Sequence, residues 1–445
     1  MKEGNLEAPR RETIDWRSAE YADRDALDQE LERVFDVCHG CRRCVNLCDA
    51  FPTLFDLVDE SDTMEVDGVD RADYGKVVEQ CFLCDLCAET KCPYLPPHEW
   101  RIDFPHLMLR AKAANFNDGD AARSRSWWRD RLLTSTDPVF RTLAVPGVAQ
   151  VANAAANVTP LRALGERLAG IHRDAPLPEF QHRTASRRVR GGAPATAAVP
   201  GTNTTGKVAI YLTCYGEYSE PDVVDDLVRV LRHNDIETKL LEGTSCCGMP
   251  RMELGDLKSV EKHKDRNLPA FRAAVDEGFD LMSIVPSCNL MYRQEAPLLF
   301  PEDEDVARIA RAFFDPFEYL TARRRDGLVK LEFARGLGKV AYHAACHQRV
   351  QAFGQRTREF LSLIPDTEVT LIERCSGHDG TYAVKEETHA KAMKIARPVV
   401  RRVRESGAEV YGSDCPMAGR MIAQGLENGS SALHPVSMLR RAYGI

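Results

Sequence analysis

No stretch of this chain offers the ~18 uninterrupted apolar residues that a membrane-spanning helix requires. The nearest approach, residues 139–158, is broken by Arg141, Pro146, Gln150 and two asparagines, and reads as a short amphipathic or packed helix. The opening Met-Lys-Glu-Gly-Asn-Leu-Glu-Ala-Pro-Arg lacks the apolar core of a signal peptide. A cytoplasmic protein is expected, with peripheral contact at the inner membrane face left open. No Gly-x-Gly-x-x-Gly run follows a strand and no Gly-Lys-Ser/Thr occurs, so neither dinucleotide hydride chemistry nor phosphoryl transfer is expected of this chain. An excess of positive charge is missing too. With 59 basic and 67 acidic residues the net charge is −8, which gives no general pull towards nucleic acid.

What the chain has is cysteine, 15 residues of it. Tight spacings without a secretion signal point to a reducing compartment and metal binding rather than disulfides. Two runs lie close to the start. Cys38, Cys41, Cys44 and Cys48 read C-x2-C-x2-C-x3-C, and Cys81, Cys84, Cys87 and Cys92 read C-x2-C-x2-C-x4-C-P. Three thiolates at this spacing wrap one face of a cubane, and the fourth cysteine of each run reaches the other cluster. Cys38, Cys41, Cys44 and Cys92 are therefore expected on one [4Fe–4S] centre, and Cys81, Cys84, Cys87 and Cys48 on another. Structural zinc is the competing reading, but zinc sites pair cysteines two and two.

A helix is expected over residues 16–37, starting at Ser18, with Leu27, Leu31, Val34 and Phe35 on one stripe. The stretch 49–80 is acidic between Asp56 and Asp73 and turns helical from about Tyr74 to Gln80. Pro93, Pro96 and Pro97 fix an extended cover over the cluster edge, with His98 a surface residue beside it. Residues 104–172 read as a helical spacer or partner-docking surface. Residues 173–206, with Pro176, Pro178, Gly191, Gly192, Pro194, Pro200 and Gly201, read as a linker, and Arg187, Arg188 and Arg190 as a solvated feature of it.

The second half repeats itself with a period of 132 at its first anchor: Lys207-Val-Ala before Cys214 matches Lys339-Val-Ala before Cys346. Cys246-Cys247-Gly248 matches Cys375-Ser376-Gly377, and the turn around Cys288 matches the turn around Cys415. Strands are expected at 208–212, 236–241 and 281–285. Helices are expected after Pro221, carrying Val224, Leu227, Val228 and Leu231 on one face, and over 257–277. The cysteines would then stand at the carboxyl ends of strands, where open α/β sheets hold their ligands.

The order Cys, Cys-Cys-Gly, Pro-x-Cys resembles the CCG, or cysteine-rich, domain of heterodisulfide reductase. Two such domains behind a two-cluster ferredoxin resemble the D-type subunit of heterodisulfide reductase, the iron–sulfur subunit of glycolate oxidase and the C-type subunit of anaerobic glycerol-3-phosphate dehydrogenase. The resemblance covers most of 30–100 and 207–445 and leaves 104–200 outside. The run Cys375-Ser-Gly-His378-Asp-Gly-Thr-Tyr382 is also similar to variants in bacterial proteins associated with rubrerythrin. The fold class implied is mixed α+β and α/β. It has a helical ferredoxin-like domain with two [4Fe–4S] clusters (16–103), the spacer (104–172), the linker (173–206) and two α/β CCG domains (207–325 and 335–445).

The resemblance implies five cysteines per repeat. The first has four, Cys214, Cys246, Cys247 and Cys288, with Met291 at the fifth position. Four thiolates suffice for a further iron–sulfur cluster. The second has three, Cys346, Cys375 and Cys415, with Ser376 and Ala418 at the other positions. It can hold a cluster with an open iron, or zinc with one of His343, His347 and His378, or it is a degenerate repeat kept for packing. The resemblance implies an electron-transfer subunit between a flavoprotein dehydrogenase, acting on a 2-hydroxy acid or glycerol 3-phosphate, and quinone or another acceptor. A thiol–disulfide or rubrerythrin-linked peroxide reductase with catalysis at Cys246, Cys247 and Cys288 is the second reading, and a zinc-stabilised interaction scaffold the third.

Overall fold

The computed structural model describes residues 9–117, 125–189, 198–378 and 380–445. The N-terminal part is helical. The expected first helix is split at Asp23 into Ala19–Ala22 and Arg24–Cys41. Two caps compete within five residues: Ser18 Oγ accepts the Tyr21 amide, and Asp23 Oδ1 accepts the Ala26 amide at 3.0 Å. The second helix runs past residue 37 through Cys38 to Cys41 and stops at Arg42, whose φ of 49° is left-handed. Leu27, Leu31, Val34 and Phe35 are buried, as their stripe requires. A further helix, Ala50–Asp59, lies in the stretch expected only to be acidic, and adds Phe51, Leu54, Phe55 and Val58 to the same core. Tyr74–Glu79 and Phe104–Asn117 close it, with Phe35 edge-on to Tyr74 at 5.2 Å and Phe51 against Phe104 at 4.7 Å.

His98 is not at the surface. It is buried beside the rings of Tyr94 and Trp100, and its Nδ1 accepts the Trp100 amide. Pro96 and Pro97 turn the chain so that the aromatic residues on either side pack against the imidazole. Helices Arg125–Thr134, Thr136–Leu143, Val148–Ala156 and Thr159–Ala169 follow; the expected 139–158 helix is broken at Pro146-Gly147, where φ of Gly147 is 86°. In the segment read as a linker, Ala185–Arg188 is a helical turn, Arg188 pairs with Asp222, and Arg190, Gly191, Gly192 and Pro194 lie outside the described residues.

The rest is built on two parallel sheets of like connectivity. In the first, β1 (Lys207–Ile210) lies between β2 (Glu237–Leu240) and β3 (Asp280–Met282), and β4 (Phe313–Phe314) extends the β3 edge. In the second, β5 (Gly338–His343) lies between β6 (Thr367–Ile372) and β7 (Val410–Ser413). Val208 pairs with Thr238 and Asp280, and Val340 with Val369 and Val410. Strand order thus reverses around the central strand of each sheet, which opens a crevice at the carboxyl ends. Helices Pro221–His233 and Leu257–Asp276 cover the first sheet, and His389–Glu405 and Pro416–Leu426 stand in the second unit.

Candidate functional site: a thiol-lined cavity between two sheets

All six strand ends that carry cysteine face one space. A cavity of about 130 Å³ is lined by Cys214, Cys246, Cys247 and Cys288 from the first α/β unit and by Cys346, Cys375 and Cys415 from the second. The two cysteine sets, expected as separate sites, share this cavity. Met291, at the missing fifth position, is buried in the π-helical turn Met291–Glu295 and does not line it, whereas Ala418 does.

The four thiols of the first unit lie close enough to perturb one another. Cys246 has Cys214 and Cys247 as its nearest thiol neighbours. These contacts hold Cys246 well below the usual thiol range and push Cys214 and Cys247 up, with burial adding to the rise. The Cys246 amide donates to Asp137 Oδ2 at 3.0 Å. Each unit also spends a backbone amide on a sulfur. Gly248 N–H lies 3.4 Å from Cys246 Sγ, and Gly377 N–H 3.3 Å from Cys375 Sγ, with φ of 94° and 73° at the two glycines. Such bonds stabilise thiolate charge and tune any iron bound to it.

Of the three histidines available to the second unit, two are saturated. His343 Nε2 faces the Arg374 carbonyl oxygen at 2.8 Å and must donate, which leaves Nδ1 to accept from Ser413 Oγ at 2.9 Å. His347 Nε2 donates to the Leu83 carbonyl at 3.1 Å, and Nδ1 accepts from Ser287 Oγ at 2.8 Å. His378 lines the cavity with a buried Nδ1 that has no hydrogen-bond partner among the described residues; burial lowers its pKa to about 4 and keeps the ring neutral. A fourth histidine, His434, clamps the two units. Its Nε2 faces the carbonyl oxygens of Ile284 and Asp414, just ahead of Cys288 and Cys415.

Cys38, Cys41 and Cys44 of the first N-terminal run line a small pocket together with Cys92 of the second. Burial first, then the neighbouring Cys92, Cys44 and Cys41 sulfurs, push the Cys38 thiol up; burial first, then Cys81, Cys48 and Cys44, do the same for Cys87. Cys92 therefore lies near Cys38, and Cys48 near Cys87. Buried thiols raised by one another are costly as thiolates until a cation offsets the charge, and this donor set fits iron–sulfur clusters. Among the described residues no three His, Cys, Asp or Glu converge as on a single ion; a cubane, which spreads its ligands over separate irons, does not need them to.

The second run also abuts the cavity, because Leu86 lines it beside Cys346 and Cys288. Its loop is anchored by Asp85, a buried left-handed residue that pairs with Arg11 at 2.8 Å. Arg11 in turn reaches Asp103 at 2.9 Å and Glu295 at 3.2 Å, and His106 bridges the same two carboxylates. Lys112 Nζ donates to the Cys81 carbonyl at 2.6 Å.

Leu133, Thr136 and Asp137 join the site from the segment expected to be a spacer. Leu133 and Thr136 line the cavity, and Asp137 holds Cys246. Their residue types carry no ligand signal, so no pattern in the sequence could have singled them out.

Strand ends of two parallel sheets thus deliver seven cysteines to one crevice, the arrangement of a cysteine-rich α/β protein. Two segments, residues 208–293 and 340–422, match the family model described as CCG, the cysteine-rich domain. The chain is 27% identical over 319 residues to the C-type subunit of anaerobic glycerol-3-phosphate dehydrogenase from Escherichia coli (strain K12), covering 71% of this chain and 77% of that protein. It is 28% identical over 215 residues to lactate utilization protein A of Bacillus pumilus (strain SAFR-032), with 47% and 87% covered. It is 27% identical over 232 residues to the B-type subunit of fumarate reductase (CoM/CoB) from Methanothermobacter marburgensis, with 51% and 44% covered.

Proposed function

We propose that the chain is the iron–sulfur electron-transfer subunit of a redox complex. Residues 16–103 act as a two-[4Fe–4S] ferredoxin-like domain, with Cys38, Cys41, Cys44 and Cys92 on one cluster and Cys81, Cys84, Cys87 and Cys48 on the other. The CCG pair at 207–325 and 335–445 takes a further iron–sulfur cluster at Cys214, Cys246, Cys247 and Cys288, and a second metal group at Cys346, Cys375 and Cys415. Electrons enter from a flavoprotein dehydrogenase and leave towards quinone or another acceptor. The observation that carries this reading is the shared wall between the second cysteine run and the thiol cavity, formed by Leu86 and by the Leu83–His347 bond. Short distance through packed protein is what one-electron centres need. The names of the glycerol-3-phosphate and lactate relatives supply the class of donor substrate.

No helix among the described residues is long and apolar enough to cross a membrane. Val148, Val151, Val158, Leu161, Leu164 and Leu168 are nevertheless exposed along two consecutive helices and the turn between them, which supports peripheral contact with the inner membrane face.

The test is anaerobic purification with the flavoprotein, followed by addition of glycerol 3-phosphate or lactate. Roughly eight irons per chain or more, and cluster reduction that requires both flavoprotein and substrate, are expected. A colourless zinc protein, or clusters that stay oxidised, would exclude the reading.

One observation favours a second reading, a thiol–disulfide or peroxide-linked reductase: the lowered Cys246 thiol in an enclosed cavity. Cys247→Ser would then abolish disulfide turnover, or peroxide turnover with a rubrerythrin-like partner, with the N-terminal cluster spectra intact. Unchanged turnover rejects it.

A further inference from the structure

The second CCG unit lacks a thiolate that the first has: Ser376 stands where the first carries Cys247. Three thiolates leave one iron of a cubane without a protein ligand. A replacement donor must meet three conditions. It must face the cavity, hold a free lone pair, and stand within reach of Cys375.

His343 and His347 fail the second condition, because each donates from Nε2 to a carbonyl and accepts a hydroxyl at Nδ1. His378 meets all three. It lines the cavity beside Cys346, Cys375 and Cys415. Its Nδ1 is buried without a hydrogen-bond partner among the described residues, a state that is costly for an imidazole nitrogen unless something binds there. Its spacing is Cys375-x2-His378, the same two-residue gap that lets Cys81 and Cys84 serve one centre. The turn between them is set by Gly377, left-handed at 73° and packed so closely on the helix His389–Glu405 that a Cβ would stand 2.1 Å from the Ala392 carbonyl oxygen. Gly377 also spends its amide on Cys375 Sγ. The turn therefore fixes the two donors together.

We propose that His378, through Nδ1, is the fourth protein ligand of an iron–sulfur cluster held by Cys346, Cys375 and Cys415. The cavity then carries two unlike centres, one with four thiolates and one with three thiolates and an imidazole. Replacing a thiolate by a neutral imidazole removes one negative charge from the cluster and raises its potential, as histidine does elsewhere in iron–sulfur proteins. Of two facing centres, the His378 centre is the one electrons favour.

This inference rests on the reading of the chain as an iron–sulfur protein, and its test does not use electron transfer to or from a partner. The full chain, purified anaerobically and labelled with ¹⁵N-histidine, is reduced and examined by pulsed EPR. A histidine nitrogen coupled to a cluster is expected, lost in His378→Ala and retained in His343→Ala. His378→Ala should also leave one iron labile, so that mild oxidation produces a three-iron signal absent from the parent. His378→Cys should restore four-iron stability and lower the potential of that one centre. A coupling that is absent in the parent or survives His378→Ala overturns the assignment. So does Cys415→Ser, if it releases zinc rather than iron. Failure of the flavoprotein to reduce the chain would sink the electron-transfer reading and leave this result standing.

Discussion

His347 donates from Nε2 to the carbonyl oxygen of Leu83 over 3.1 Å, joining the loop between Cys81 and Cys84 to the residue that follows Cys346. The same ring accepts from Ser287, the neighbour of Cys288. One imidazole thus touches the chain next to three of the cysteine sets. His347→Ala strands a buried carbonyl and a hydroxyl, at about 1–3 kcal/mol for each unsatisfied group. A loss of about 2–4 kcal/mol in urea unfolding under anaerobic conditions is expected, smaller in His347→Gln, which keeps a donor. An unchanged midpoint would show that the junction contributes nothing to stability.

The two Cys-x-Gly turns look alike in sequence but differ in space. Gly248 has room, with the nearest atom to an added Cβ at 3.4 Å, whereas Gly377 would meet a backbone oxygen at 2.1 Å. Gly248→Ala should cost the left-handed backbone alone, about 1–2 kcal/mol. Gly377→Ala should cost more, because the helix carrying Ala392 must move as well. Urea midpoints of the two variants compared side by side decide this; equal losses would place both costs in the backbone.

The spacing of the cysteines and the approximate positions of the strands were legible because both are local patterns. A two-residue gap between cysteines, or the seven residues from Lys-Val-Ala to a cysteine, survives any tertiary arrangement. The joining of the two cysteine sets into one cavity was not legible, since it depends on how two sheets face each other. Asp137 shows the limit most plainly. Its carboxylate serves the Cys246 amide across 109 residues of chain, and nothing in Ser-Thr-Asp-Pro announces that. His98 shows the reverse error: its proline neighbours implied exposure, but Tyr94 and Trp100 bury it.

His106 sits among Arg11, Asp85, Asp103 and Glu295. Burial and Arg11 push its pKa down, yet the Asp103 and Glu295 carboxylates outweigh them and raise it to about 9. A histidine held above its unfolded value of ~6.5 stabilises the fold fully below that pH and loses the contribution as pH rises through the folded value. A span of ~2.5 pH units corresponds to about 3 kcal/mol. The parent should therefore lose up to that amount relative to His106→Gln between about pH 6.5 and 9, measured by urea unfolding. Parallel profiles for the two proteins would place the pH dependence elsewhere.

The exposed aliphatic face of the 148–169 helices predicts binding to a bilayer surface. Leu161→Glu, Leu164→Glu and Leu168→Glu together remove three side chains that are 50%, 51% and 66% exposed. Each is worth up to about 1.5–3 kcal/mol when buried in an apolar phase. Even a fraction of that lowers co-sedimentation with phosphatidylglycerol-containing vesicles at least about tenfold. Because these residues support no core, far-UV spectra should not change. Equal co-sedimentation of parent and triple variant would assign the face to a protein partner instead.

The crossed assignment of the fourth cysteines makes the sharpest demand on the N-terminal part. Cys92 follows the second run in sequence but lines one pocket with Cys38, Cys41 and Cys44, and Cys48, which follows the first run, is proposed to cross in the other direction to the cluster of Cys81, Cys84 and Cys87. Cys92→Ser and Cys41→Ser should therefore perturb the same EPR signal, and Cys48→Ser and Cys84→Ser the other. Removing one of four thiolates leaves one iron of that cubane exposed, so each variant should lose up to about four irons on gel filtration in chelator while the other cluster persists. If Cys92→Ser instead perturbs the signal lost in Cys84→Ser, each run closes its own cluster and the crossing is wrong.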